Sequence, residues 1–158
     1  MLKRNFKWAY QPITKLSHFP IIFHFSIADI ITHKFTLSSN ERLKSRKIIE
    51  RLFKQGKSFS HFPFRIIYVE NENAETPLQA GFTVSARNFK KAVDRNRIKR
   101  LMREAYRLQK NPLREHLEKS HKSIAVFFVY TGNELPQYDF VFDKINTALQ
   151  RLEKLVSE

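Results

Sequence analysis

The chain has 158 residues, 42% of them hydrophobic, with 29 Lys and Arg against 15 Asp and Glu, a formal net charge of +14. Length and apolar content suffice for one domain with its own core, and the charge points to a polyanion: RNA, DNA or an acidic membrane surface. Having no Cys and only three glycines, the chain has no disulfide framework, thiolate metal site or Gly-rich phosphate loop, and no run of about 18 apolar residues offers a transmembrane helix.

Residues 1–33 differ from the rest. Lys3, Arg4, Lys7 and Lys15 are scattered among Trp8, Tyr10, Pro12 and Pro20, and the apolar stretch 21–31 is broken by His24, Ser26 and Asp29. The order of charge and apolarity has the shape of a signal peptide, but no small-residue cleavage site follows. The segment reads as an appendage, disordered or mis-started, ahead of a domain spanning 34–158. That domain opens on an extended Phe35-Thr36-Leu37. Ser38 and Glu41 have capping-box spacing, which predicts a helix from Ser38 to about Gln55, stopped at Gly56. Its apolar face is Leu43, Ile48, Ile49, Leu52 and Phe53. A short strand is possible near 58–60. Residues 62–70 read as a strand, 71–76 as a polar turn closed by Pro77, and 78–86 as the returning strand of a hairpin. Gly81 inside that strand suggests a close backbone approach or a bulge.

A basic loop follows, and then a helix from about Asp94. Ile98, Leu101, Met102, Ala105 and Leu108 form the stripe of a helix packed on one side. From Arg87 to Arg103 there are eight Lys and Arg and one acid, Asp94. A solvated helix face usually mixes signs at i, i+4 spacing; this one repels itself unless something anionic meets it. Asn111-Pro112 breaks the chain, and 113–120 is either one or two helical turns or a loop. Residues 123–130, SIAVFFVY, form a continuous apolar run of central-strand type. Asp139 is the predicted N-cap of a last helix with the stripe Val141, Phe142, Ile145, Ala148, Leu149, Leu152 and Leu155. Alternating helices and strands in this order make an α+β fold.

Residue chemistry alone describes a binding protein with no catalytic residue. The six histidines stand at no metal-ligand spacing, and no Ser, His and acid motif occurs. Glu104 could be read as a general base, but it is more simply the ion-pair partner of Arg100 or Arg107 on the same helix.

Arg95-Asn96-Arg97, Ile98-Lys99-Arg100-Leu101 and Arg103-Glu104-Ala105-Tyr106-Arg107 resemble the signature helix of the bacterial ribonuclease P protein family. Gly81-Phe82-Thr83-Val84-Ser85 and Ala92-Val93 fit the same pattern, and the resemblance covers roughly residues 35–156. It implies a single α/β sandwich, αβββαβα, with a left-handed βαβ crossover. It also implies a cytoplasmic accessory subunit of an endoribonuclease. The RNA subunit is then the catalyst, removing the 5′ leader of precursor tRNA with Mg²⁺ bound mainly by RNA. Carried over by position, Arg87, Lys90, Lys91, Arg95, Asn96, Arg97, Lys99, Arg100 and Arg103 would face ribonuclease P RNA. Asn96 and Arg97 have a second reading, as residues that fold the crossover through backbone hydrogen bonds. A leader-binding cleft would comprise Ile49, Phe53, Lys57, Arg65 and Ile67, with Phe53 read equally as leader stacking and as core packing. The chain departs from the family pattern twice. Ile49 and Ile67 are aliphatic where aromatics are usual, and the loop 87–91 lacks a glycine and is one residue longer.

The alternatives are a structural RNA-binding protein, a DNA reader and a membrane-surface helix. An exposed face of almost pure Lys and Arg suits phosphates better than base edges. Residues 95–108 contain no Trp or Phe to insert into a bilayer.

Overall fold

The computed structural model describes residues 35–71 and 74–157; the reading of residues 1–33 lies outside them. The described elements are α1 (Arg46–Gln55), β1 (Lys57–His61), β2 (Phe64–Glu70), β3 (Leu78–Val84), α2 (Ala92–Gln109), α3 (Asn111–Lys119), β4 (Ile124–Tyr130) and α4 (Tyr138–Ser157). This is a mixed α+β fold with one helix, α3, more than αβββαβα. Pro112 sits in the first turn of α3, where its missing N–H costs nothing.

The sheet order is β1-β2-β4-β3. The expected β2/β3 hairpin is therefore not formed. β4 lies between the two strands, antiparallel to β2 and parallel to β3. The parallel pair β3/β4 is joined through α2 and α3. The polar stretch after Glu70 looks like a hairpin turn, but β4 is the most apolar strand, and central placement buries it on both faces.

Alternation along the strands makes two faces. On one, Phe64, Ile66, Ala80, Val84, Val126, Phe128 and Tyr130 pack against Ile98, Met102, Ala105 and Tyr106 of α2 and Val141, Ile145, Leu149 and Leu152 of α4. Phe82 stacks on Phe128 at 5.5 Å, and Tyr106 meets both rings edge-on. On the other face a smaller cluster of Leu43, Leu52, Ile67 and Ala125 lies under α1.

Two helix starts differ from expectation. Ser38 and Glu41 do exchange hydrogen bonds, Ser38 N–H to Glu41 Oε2 at 2.7 Å and Glu41 N–H to Ser38 Oγ at 3.4 Å, but they close a turn and not the first turn of α1. The chain then runs extended along the edge of β3, with Leu43 N–H donating to Ala80 O and Ala80 N–H to Glu41 O. These bonds occupy the edge and delay α1 to Arg46. Asp139 lies inside the first turn of α4 and not at its cap, where a carboxylate still complements the helix dipole.

Lys110, between α2 and α3, is 1% exposed. Its Nζ donates to Thr36 O at 2.6 Å and to the Glu41 carboxylate. Burial pushes the Glu41 carboxyl up, but the hydrogen bonds from Lys110 and Ser38 outweigh it and hold the group below the ordinary carboxylate value. The helical layer is thus pinned to the segment that borders β3.

Candidate nucleic-acid interface

α2 begins at Ala92, with Asp94 in its first turn. Ile98, Met102, Ala105 and Tyr106 are buried, and Leu101 packs at the margin. The other side carries Asn96, Arg97, Arg100 and Arg103, all exposed, with Lys99 half-buried. None of these five makes a side-chain hydrogen bond or ion pair among the described residues. Glu104, the acid on this face, is bound by Arg107 at 2.9 and 2.6 Å, and that hydrogen bond lowers its pKa. A carboxylate held this way is a poor general base, so Arg107 takes the ion pair that Arg100 was also expected to compete for.

Arg95 is set apart from its neighbours. Its Nη1 donates to Phe89 O at 2.8 Å and Lys90 O at 2.6 Å. The crossover-folding role read for Asn96 and Arg97 thus falls on Arg95. Asn88 anchors the same loop from its other side, donating to Thr131 O at 2.8 Å and Gly132 O at 3.1 Å. Phe89 is buried, 6.0 Å from the Tyr130 ring. The glycine-free loop is therefore held by three side chains, and it presents Arg87, Lys90 and Lys91 exposed.

The expected cleft is only partly assembled. On the α1 face, strand register aligns Ser58, Ile67, Phe127 and Gly81 in one row and Ser60, Arg65, Val129 and Thr83 in the next. Ile67 is 4% exposed beneath Leu52, so it supports α1 and offers no surface to a ligand. Lys57 pairs with Tyr68 and falls on the opposite face by alternation. Ile49 is partly buried against the smaller cluster. Phe53 is 56% exposed, stands outside both hydrophobic clusters and meets Phe127 edge-on at 5.4 Å; it is an open aromatic surface and not a core residue. Arg65 is exposed in the neighbouring row.

Phe127 is the aromatic that the strand pattern concealed: in a run apolar at every position, period two gives no sign of which face a residue takes. Arg42 and Lys44 were also missed as site residues, because they were counted on a helix and lie instead on the extended segment beside β3. A groove of about 310 Å³ is lined by Ile49, Gly81 and Phe127 together with Arg42, Lys44 and Arg103. It connects the sheet face to α2. A side chain at Gly81 would strike the Phe127 ring, which accounts for the glycine as a close approach. Gly81→Ala is expected to cost about 1–3 kcal/mol of stability and to separate Phe127 from Phe53; denaturant melts and the aromatic NMR shifts of the two rings would check it.

Among the described residues no three acids or histidines gather into a site for a metal ion, and no described helix is long and apolar enough to cross a membrane.

A family model for ribonuclease P matches residues 37–153. The ribonuclease P protein component of Porphyromonas gingivalis is 35% identical over 119 residues, which cover 75% of this chain and 87% of that protein. That of Chlorobium phaeobacteroides is 31% identical over 131 residues, 76% of this chain and 90% of the relative. Among solved structures, the RNase P protein from Thermotoga maritima superposes with a TM-score of 0.57 at 25% identity, over 70% of this chain and 96% of that one. The Staphylococcus aureus RNase P protein, at 21% identity, shares the fold with a TM-score of 0.56 over 71% of this chain and 94% of its own. With three quarters of its length matched to these proteins and the same fold beneath the match, the chain belongs to the ribonuclease P protein family.

Proposed function

We propose that this chain is the accessory protein subunit of a cytoplasmic ribonuclease P, and that it grips the catalytic RNA with α2 while laying the 5′ leader of precursor tRNA along the sheet. One observation carries the reading. Cations of α2 without partners among the described residues adjoin, through Arg42, Lys44 and Arg103, the half-buried Phe127 of β4, whose ring the exposed Phe53 of α1 meets edge-on.

Each half has its own chemistry. Arg97, Lys99, Arg100 and Arg103 neutralise phosphates of the RNA subunit, which orients the protein without reading sequence. Arg87, Lys90 and Lys91 extend that contact along the loop that Arg95 and Asn88 hold. Phe53 and Phe127 supply ring surface for an unpaired leader nucleotide, and Arg65 and Lys44 supply charge for its phosphates. Ile49 contributes apolar contact where an aromatic would stack. Scission belongs to the RNA, and Mg²⁺ in this reading is held by RNA oxygens. The protein raises the local positive potential, which reduces the repulsion between two RNA molecules and lowers the Mg²⁺ needed to bring them together.

The test is reconstitution of the purified chain with a bacterial ribonuclease P RNA and a leader-labelled precursor tRNA, at Mg²⁺ too low for the RNA alone. Leader release that needs both components supports the reading. RNA binding with no gain in cleavage favours the structural RNA-binding alternative. Within that assay Phe53→Ala is expected to weaken binding of the leader-bearing precursor by about tenfold, with little change in affinity for mature tRNA or for the RNA subunit. Equal losses for precursor and mature tRNA would remove Phe53 from the leader site.

A further inference from the structure

The C-terminal ends of β3 and β4 and the start of β2 meet at one end of the sheet, and an open groove of about 640 Å³ lies there. Phe62, Tyr130, Gly132, Glu134, Leu135 and Phe140 are among its lining residues. Phe62 was expected within a strand. It stands instead in the turn between β1 and β2, 71% exposed, and Phe140 and Leu135 are 41% and 45% exposed. Large apolar side chains this open seldom gather without a ligand.

The groove is built from bonded parts. Thr131 donates to Pro63 O through its N–H at 2.8 Å and its hydroxyl at 3.0 Å, and Tyr130 donates its hydroxyl to Glu134 O at 2.8 Å. Asn88, between Arg87 and Lys90, donates to Thr131 O and Gly132 O. The basic loop and the groove therefore share a wall. Lys144 lies over the Phe140 ring, 5.6 Å from its centroid.

Resting on the reading of this chain as an RNA-binding subunit, we infer that the groove is a second nucleotide site, taking an unpaired base of the RNA gripped by α2 and the 87–91 loop. Continuity with that loop names the occupant. A strand following Arg87, Lys90 and Lys91 passes directly to the groove, where rings can stack on a base. Glu134 in the lining repels phosphate, so the groove receives the neutral ring while the backbone stays with the loop. This site is distinct from the Phe53–Phe127 surface, which lies on the α1 face.

The experiment uses the full chain with ribonuclease P RNA carrying 4-thiouridine, photo-crosslinked and mapped by peptide mass, beside binding isotherms at several salt concentrations. Phe62→Ala with Phe140→Ala is expected to raise Kd about tenfold and leave the slope of log K against log[salt] unchanged, because stacking releases no counterions. Phe62→Tyr with Phe140→Tyr, which keeps the rings, should bind as the native chain does. Crosslinks should fall on peptides containing Phe62 or Phe140. Unchanged Kd in the alanine variant with no such crosslink overturns the inference, as does a variant whose only change is in self-association or peptide capture. If Arg97→Ala with Arg100→Ala still weakens RNA binding in that event, the groove alone has failed. If the native chain binds no RNA, the functional reading beneath it has failed.

Discussion

Lys110→Ala is expected to lower the free energy of unfolding by about 3–5 kcal/mol, the usual consequence of stranding one member of a buried ion pair. With Lys110 truncated, the Glu41 carboxylate keeps the Ser38 N–H and a distant Arg114, 3.7 Å away, but loses its buried cation. Thr36 O loses its donor as well. The segment thus released carries Arg42 and Lys44 and borders β3, so RNA binding should weaken along with stability. Urea unfolding of the full chain at neutral pH measures the first effect; a loss under about 1 kcal/mol would show that water replaces the pair at little cost. The same pair sets an acid limit. Because Glu41 is held below its ordinary value, its contribution is complete above the unfolded carboxylate value of about 4.3 and fades as pH falls through the lower folded value. In Glu41→Gln that acid-side slope of stability should be shallower, at the cost of a lower plateau.

Arg97→Ala with Arg100→Ala should act in the opposite manner, leaving the fold alone and striking binding. Both side chains are exposed and without a partner among the described residues, so the thermal transition should stay within a degree or two of the native one. If each neutralises one phosphate, the slope of log K against log[salt] falls by about 0.7–0.9 per residue removed. Affinity for the RNA subunit at low salt should drop by more than it does at high salt. Isotherms at four or five salt concentrations decide the matter. A slope equal to the native one would take this face of α2 out of the interface. Arg95→Ala offers a useful contrast: it frees the Phe89 and Lys90 carbonyls, so its effect would come through the position of the loop.

What the sequence determined by itself is whatever depends on near neighbours along the chain. The amphipathic stripes of α2 and α4 were legible because residues three and four apart share a helix face whatever lies opposite. The concentration of cations from Arg87 to Arg103 was legible as a count, and the order Arg95-Asn96-Arg97 and beyond carried the family. Gly81 was legible as a close approach, though not the ring it approaches. Tertiary structure decided everything that depends on which distant segments meet. The β2/β3 hairpin was refused because β4, with apolar residues on both faces, is buried best between them. That one insertion also set Phe127 beside Ile67, where it meets the ring of Phe53. Ser38 and Glu41 form the same local hydrogen bonds in a turn as at a helix start, so spacing could not tell the two apart. Lys110 sits sixty-nine positions from Glu41, and a lysine destined for a buried pair looks like any other lysine until the chain has folded around it.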